Sequence, residues 1–176
     1  SLGLAARRPD LFQCISVHEP PLFDVLAGTG STGLETARER IRGVTERLAA
    51  GELELGAALF ADTVVGQAGS WEIFSAEARA SMVRHAATFL DENRDPGVFA
   101  LDLERLAGFG HPALLTFGDA SPDYFAQVVR RVAGVLPNGR VQVFRGAGHV
   151  PHHSHPAAYV DALTAFVLEA EQSSTR

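Results

Sequence analysis

The sequence predicts an α/β fold with parallel strands, flanking helices and an inserted helical cap. Three observations carry this. After Pro112 the chain alternates strand, helix, strand, helix at short spacing, which implies right-handed crossovers and a parallel sheet. A further apolar, β-branched run lies near the start of the chain. Between the two, roughly eighty residues keep a helical period with no alternating stretch, too long for a plain crossover.

Each element follows in order. Ser1 to Arg8 reads as the end of a helix, with Arg7 and Arg8 suited to a C-terminus and Pro9 stopping it. Phe12 to Val17 reads as a buried strand, closed by His18-Glu19-Pro20-Pro21, where the prolines forbid further ladder bonds. Gly28 to Gly33 is a loop. Leu34, Ala37, Ile41, Val44 and Leu48 then fall on one face of a helix that stops at Gly51. Leu55, Ala58, Leu59 and Val65 suggest a second helix ending near Gly66. A third runs from Ser75 as N-cap to about Leu90, with Met82, Ala86 and Phe89 inward. Asp95-Pro96 reads as the N-cap and first residue of a short fourth.

The period flips at Pro112. Ala113 to Phe117 is a strand ending at Gly118. Ser121-Pro122 caps a helix with Phe125, Val128, Val129, Val132 and Leu136 inward. Val141 to Phe144 is a strand, Gly146-Ala147-Gly148-His149 a sharp loop, and Pro156 opens a last amphipathic helix that frays from about Gln172. Ligands of such folds bind at the C-terminal edge of the sheet, beneath the inserted block.

Composition narrows the function classes. With 46% apolar residues the chain can bury a sizeable core. Fifteen basic against twenty-one acidic side chains give a net charge of −6, and no stretch clusters the arginines, so neither nucleic acid nor an anionic membrane is an expected partner. No apolar run is long enough to span a bilayer, and no signal peptide opens the chain. The single cysteine, Cys14, excludes an intrachain disulfide and a cysteine-rich metal site. A reducing, cytoplasmic setting is expected.

Three stretches carry a family resemblance. "HPALLTFGDASP" looks like a penultimate strand with an acid-bearing loop. "VQVFRGAGHVPHHSHPAAYVDALTAFV" looks like a last strand, a Gly-x-Gly-His loop and a terminal helix. "LAARRPDLFQCISVHEPPL" looks like the end of the helix after a nucleophile elbow and the strand that follows it. Together they resemble the C-terminal part of the α/β-hydrolase fold and cover about half the chain. The expected division is then 1–26 for the end of the elbow helix and a core strand, 27–110 for the cap, 111–172 for the C-terminal core, and 173–176 for a tail.

The resemblance implies a hydrolase that needs no cofactor and acts on a small, fairly apolar ester or a related lactone, amide, epoxide or halide by nucleophilic catalysis. A non-catalytic ligand-binding protein of the same fold, or an inert fragment, is the alternative. One departure stands out: the family's Gly-x-Ser-x-Gly turn occurs nowhere in these residues. Ser1-Leu2-Gly3 is a poor substitute, because Pro9 follows Ser1 by eight residues, where relatives show roughly fourteen. The nucleophile is expected upstream of residue 1, and the chain alone is expected to be inactive. Without its central neighbours, the Phe12–Val17 strand would also present an apolar edge prone to self-association.

For the chemistry, the resemblance assigns His149 as the proton relay. Its acid partner has two candidates. Asp119 follows the strand glycine by one residue, two short of the usual position, which is Ser121 here. Glu19 lies where haloalkane-dehalogenase-like members carry theirs, at the end of the strand after the elbow helix. Asp119 would otherwise start a turn or helix, and Glu19 would be a loop carboxylate held by prolines. His149, His152, His153 and His155 are dense enough to suggest a metal, but no acidic or cysteine partner lies near them in sequence. His18-Glu19 opens like a zinc-protease motif, yet position 22 is Leu. No metal is expected. Trp71, Phe74, Met82 and Phe89 could line an apolar pocket, or simply pack in the core.

Overall fold

The computed structural model describes residues 1–174 and shows a three-stranded parallel sheet with helices around it. The strands are β1 (Ile15–His18), β2 (Ala113–Gly118) and β3 (Gly139–Phe144), in that spatial order. Every residue of the central strand β2 is buried, as its unbroken apolar run requires of a strand covered on both faces. Pairing sets Ile15 beside Ala113, His18 beside Thr116, and Gly118 beside Phe144. Because all three strands run the same way in this register, His18, Gly118 and Phe144 finish at one edge.

Helix α6 (Asp123–Ala133) packs on β2 through Tyr124, Phe125, Val128, Val129 and Val132, all buried in the main core. Burying a side chain of this size contributes about 1.5–3 kcal/mol, so this face anchors the crossover from β2 to β3. The long helix α8 (Pro156–Ser174) buries Phe166 and Ala170, and its Glu169 accepts from Arg140 on β3 at 2.7 Å. Among the described residues, no strand pairs with β1 on its outer side.

Between β1 and β2 the described chain holds helices and turns only. Helix α1 (Leu2–Arg7) precedes β1, while α2 (Thr32–Ala49), α3 (Leu53–Val65), α4 (Ala76–Glu92) and the one-turn α5 (Leu103–Leu106) follow it. Ser31 caps α2 by accepting from Gly33 N–H, and Ser75 caps α4 by accepting from Ala78 N–H. Leu34, Ala37, Val44 and Leu48 of α2 are buried as their spacing predicts. The α3–α4 region meets the core at α6: Tyr124 Oη donates to the Thr63 carbonyl of α3 at 3.3 Å, and Gly66 fits against Pro122 where no side chain would.

Helix α3 ends at Val65 before Gly66, as expected; Leu55 and Leu59 point outward at 59% and 37% exposure, while Gly56, Ala57 and Ala61 are buried. A Cβ on Gly56 would run into Leu48, so the small residues let α3 and α2 approach closely. Two expectations need correction. Asp95-Pro96 starts a turn rather than a helix: Asp95 Oδ1 accepts from Gly97 N–H, an Asx turn, and Asp102 caps the real helix α5. Second, α8 continues helical as far as Ser174 instead of fraying at Gln172, and residues 175–176 of the expected tail lie outside the described residues.

Candidate active site

The site forms where the three strand ends converge. Past β3, Gly146 takes a left-handed conformation (φ 71°), which reverses the chain and buries Ala147 against β2. A Cβ on Gly118 would strike the Ala147 carbonyl, so only glycine at the end of β2 leaves room for this loop. The loop is tied down by Ala120 N–H donating to Ala147 O at 3.0 Å and by Asp119 N–H donating to Phe144 O at 3.3 Å. It ends in His149, and the one-turn helix α7 (Pro151–Ser154) follows. Of the two glycines flanking Ala147, Gly146 alone needs its conformational freedom.

Glu19 arrives from the end of β1. It is the one non-glycine residue with positive φ (41°) among the described residues, and it precedes a buried proline. That conformation costs on the order of 1–3 kcal/mol and persists where the surroundings enforce it. Here Glu19 N–H donates to Thr116 O at 3.0 Å, and Pro20 excludes a continued ladder. The side chain turns inward, fully buried.

There Glu19 Oε2 lies 2.7 Å from His149 Nδ1, while Oε1 accepts from Gly118 N–H at 2.8 Å. Burial alone would push the Glu19 carboxyl up. The bond from His149, the neighbouring Ser121 hydroxyl, the Gly118 N–H and the nearby His18 together outweigh it and hold the group below its ordinary value. An ionised Glu19 makes Nδ1 the protonated nitrogen of a neutral His149. The free edge, Nε2, then carries the lone pair. The His149 ring stacks on Phe125 at 4.9 Å between centroids, 24° from parallel.

Asp119 goes elsewhere. It is exposed, and its Oδ1 accepts from Gly146 N–H at 2.6 Å, so it braces the turn that carries His149 and does not touch the ring. Of the sequence-predicted residues, then, His149 and Glu19 are brought together and Asp119 is one turn away. Ser121, at the position expected for an acid, is half-buried, with its hydroxyl oxygen shielded from solvent near Glu19. The two loops therefore converge on one place.

The sequence analysis missed His18 and Phe125 as neighbours of the pair. His18 Nδ1 lies 2.8 Å from Thr116 Oγ1, and its Nε2 is buried with no hydrogen-bond partner, 3.7 Å from Glu19 Oε1. Burial, opposed by Glu19, lowers the His18 pKa below its ordinary value. The signal was present in Phe125, on the inward face of its helix; His18 needed the strand register. The later histidines form no ligand group: His152 and His153 contact each other at 4.6 Å, and His155 bonds Ser154. Among the described residues, the one convergence of three potential ligands is His18, Glu19 and His149.

A cavity of about 320 Å³ opens onto the pair. Its walls are mostly apolar: Phe23 and Phe99 from the turns after β1 and α4, Ile41 from α2, Phe60 and Val64 from α3, and Phe89 from α4. Phe89 lines it as the sequence suggested; Trp71, Phe74 and Met82 do not.

The comparisons agree with this architecture. The model of the Alpha/beta hydrolase family matches residues 2–162, and the chain belongs to that family. No curated protein matches it. Among solved structures, an alpha/beta hydrolase from Sphaerobacter thermophilus DSM 20745 superposes with a TM-score of 0.66 at 20% identity, over 94% of this chain and 63% of that one. MenH from S. aureus superposes with a TM-score of 0.61 at 15% identity, over 97% of this chain and 74% of that one. The chain thus spans about two thirds to three quarters of the length of these structures. None of its described helices is long and apolar enough to cross a membrane.

Proposed function

We propose that the protein is a cytoplasmic, esterase-like hydrolase that needs no cofactor and cleaves a small, fairly apolar ester or a related bond through a covalent intermediate. The observation that carries this reading is the 2.7 Å contact between His149 Nδ1 and the buried Glu19, at the mouth of a phenyl-lined cavity. His149 Nε2 takes the proton of the nucleophile and then delivers it to the leaving group, or activates water for the second step. Glu19 fixes the tautomer and stabilises the imidazolium that forms. Asp119 supports the loop and takes no part in the chemistry. The nucleophile and the backbone donors for an oxyanion come from residues outside these 176, so this chain by itself turns over no ester. The apolar group of the substrate lies between Phe60, Phe89 and Phe99.

Turnover of a panel of short-chain nitrophenyl esters by the full-length protein tests the reading. Hydrolysis should disappear in His149→Ala. Turnover that survives His149→Ala would sink the assignment. So would esterase activity of the isolated 176-residue chain that is lost in Ser1→Ala.

A further inference from the structure

We infer that His18, Glu19 and His149 also form a zinc-binding site, and that Zn²⁺ bound there blocks the His149–Glu19 pair. One nitrogen or oxygen from each residue lies within 4.8 Å of the others. A four-coordinate zinc with bonds of about 2.0–2.1 Å sets its ligand atoms roughly 3.3 Å apart. The Glu19 carboxylate is bordered by both rings, with Oε2 2.7 Å from His149 Nδ1 and Oε1 3.7 Å from His18 Nε2.

His18 is the independent pointer. A metal-bound imidazole ordinarily holds one nitrogen in a hydrogen bond and offers the lone pair of the other. His18 is arranged this way, with Nδ1 on Thr116 Oγ1 at 2.8 Å and Nε2 buried, unpartnered and facing Glu19. Buried polar atoms rarely lack a partner, and the hydrolytic pair uses neither His18 nitrogen. The Phe144, His149 and Tyr159 rings lie around the His18 ring at 6.1, 6.1 and 6.2 Å, and the nearby His149 backbone makes no hydrogen bond of normal geometry to its Nε2. Two imidazoles and one carboxylate suit zinc, and the cavity leaves the fourth position open to water.

The block follows from proton placement. Zinc takes the Nδ1 lone pair of His149, so the ring proton moves from Nδ1 to Nε2. No proton is gained or lost overall, and no electrons move. A protonated Nε2 cannot accept the proton of a nucleophile. This consequence rests on the proposed relay role of His149; the binding itself does not.

The test uses Co²⁺ as a coloured stand-in for zinc on the full-length protein. Visible absorption of four-coordinate cobalt should appear and be displaced by Zn²⁺. His18→Asn should weaken binding roughly tenfold or more. His18→Cys, which exchanges one ligand for another, should add a thiolate-to-cobalt band in the near ultraviolet beyond any seen with Cys14 alone. A combined His152→Asn and His153→Asn variant should keep the site. In turnover, Zn²⁺ should inhibit reversibly, with chelator restoring the rate. His18→Asn should need at least about ten times more Zn²⁺, measured against its own metal-free rate. An absent cobalt spectrum, one that vanishes with His152 and His153, or no new band in His18→Cys would overturn the site. If binding fails while His149→Ala still abolishes turnover, the site falls and the relay stands. Cobalt bound beside turnover that Zn²⁺ does not slow would overturn the block and count against the relay.

Discussion

Two acidic loops leave adjacent strands at the same edge of the sheet and are used in opposite ways. Glu19 follows β1, is wholly buried, and directs its carboxylate at the His149 ring. Asp119 follows β2, is exposed, and spends its carboxylate on the Gly146 backbone. Sequence position separates them poorly, since each lies just past an apolar strand. Backbone conformation separates them well. Glu19 is forced into a left-handed turn ahead of two prolines and so aims inward, whereas Asp119 sits in an ordinary turn before α6. The lesson is that strain at one loop residue, not the presence of a carboxylate, selects the partner of the histidine.

The largest expected effect tests the loops directly. In the full-length protein, Glu19→Gln should lower kcat by about 10⁴-fold, because an amide cannot hold the productive tautomer. Asp119→Asn should leave most of the rate in the same assay. The reverse pattern would hand the acid role to Asp119.

Next in size is Gly118→Ala. Its new methyl group meets the Ala147 carbonyl, a backbone atom that cannot swing aside. We expect a loss of about 3 kcal/mol, the upper end of the overpacking range, read as a lower denaturation midpoint. An unchanged midpoint would mean that the histidine loop is free to shift, and would weaken the contrast between a fixed Glu19 and a fixed ring.

Asp119→Ala should cost about 1 kcal/mol by removing the acceptor of Gly146 N–H, with kcat falling much less than in Glu19→Gln. A variant as stable as the parent would show that the Gly146 turn holds itself.

The smallest effect is on pH dependence, measured in chelator. His18 has a folded pKa below its ordinary 6.5, so the unfolded chain binds its proton first and stability falls as pH drops from about 6.5 toward the folded value. Glu19 is lowered from 4.5, so its contribution, complete above that pH, is lost as pH falls further through its folded value. Unfolding by acid should therefore steepen in two stages, and His18→Asn should flatten the first. A single stage unaffected by His18→Asn would contradict both directions.

The sheet was legible because β2 is an unbroken apolar run closed by glycine and β1 and β3 are β-branched stretches ended by prolines or a glycine loop, and the helix of Phe125 to Val132 because its buried face repeats cleanly. The sequence narrowed the acid partner of His149 to Glu19 or Asp119, and the choice between them needed the loop conformations. The inward face of α3 was not, since close helix contact is made by Gly56, Ala57 and Ala61, which a search for large apolar residues passes over. Asp95 misled because an Asx turn and a helix cap begin with the same side chain. His18 faces the pair through the register of β1 on β2, which no local pattern encodes.

The Tyr124–Thr63 bond has a mechanical consequence. Tyr124 ties α6 to α3, and the next residue, Phe125, supports the His149 ring. Two adjacent residues of α6 thus link the cavity wall at α3 to the His149 ring. A guest that displaces α3 is expected to alter the freedom of that ring through this link. Line widths of the His149 ring resonances, followed as a phenyl-bearing guest is titrated in, should change with occupancy and should lose that dependence in Tyr124→Phe.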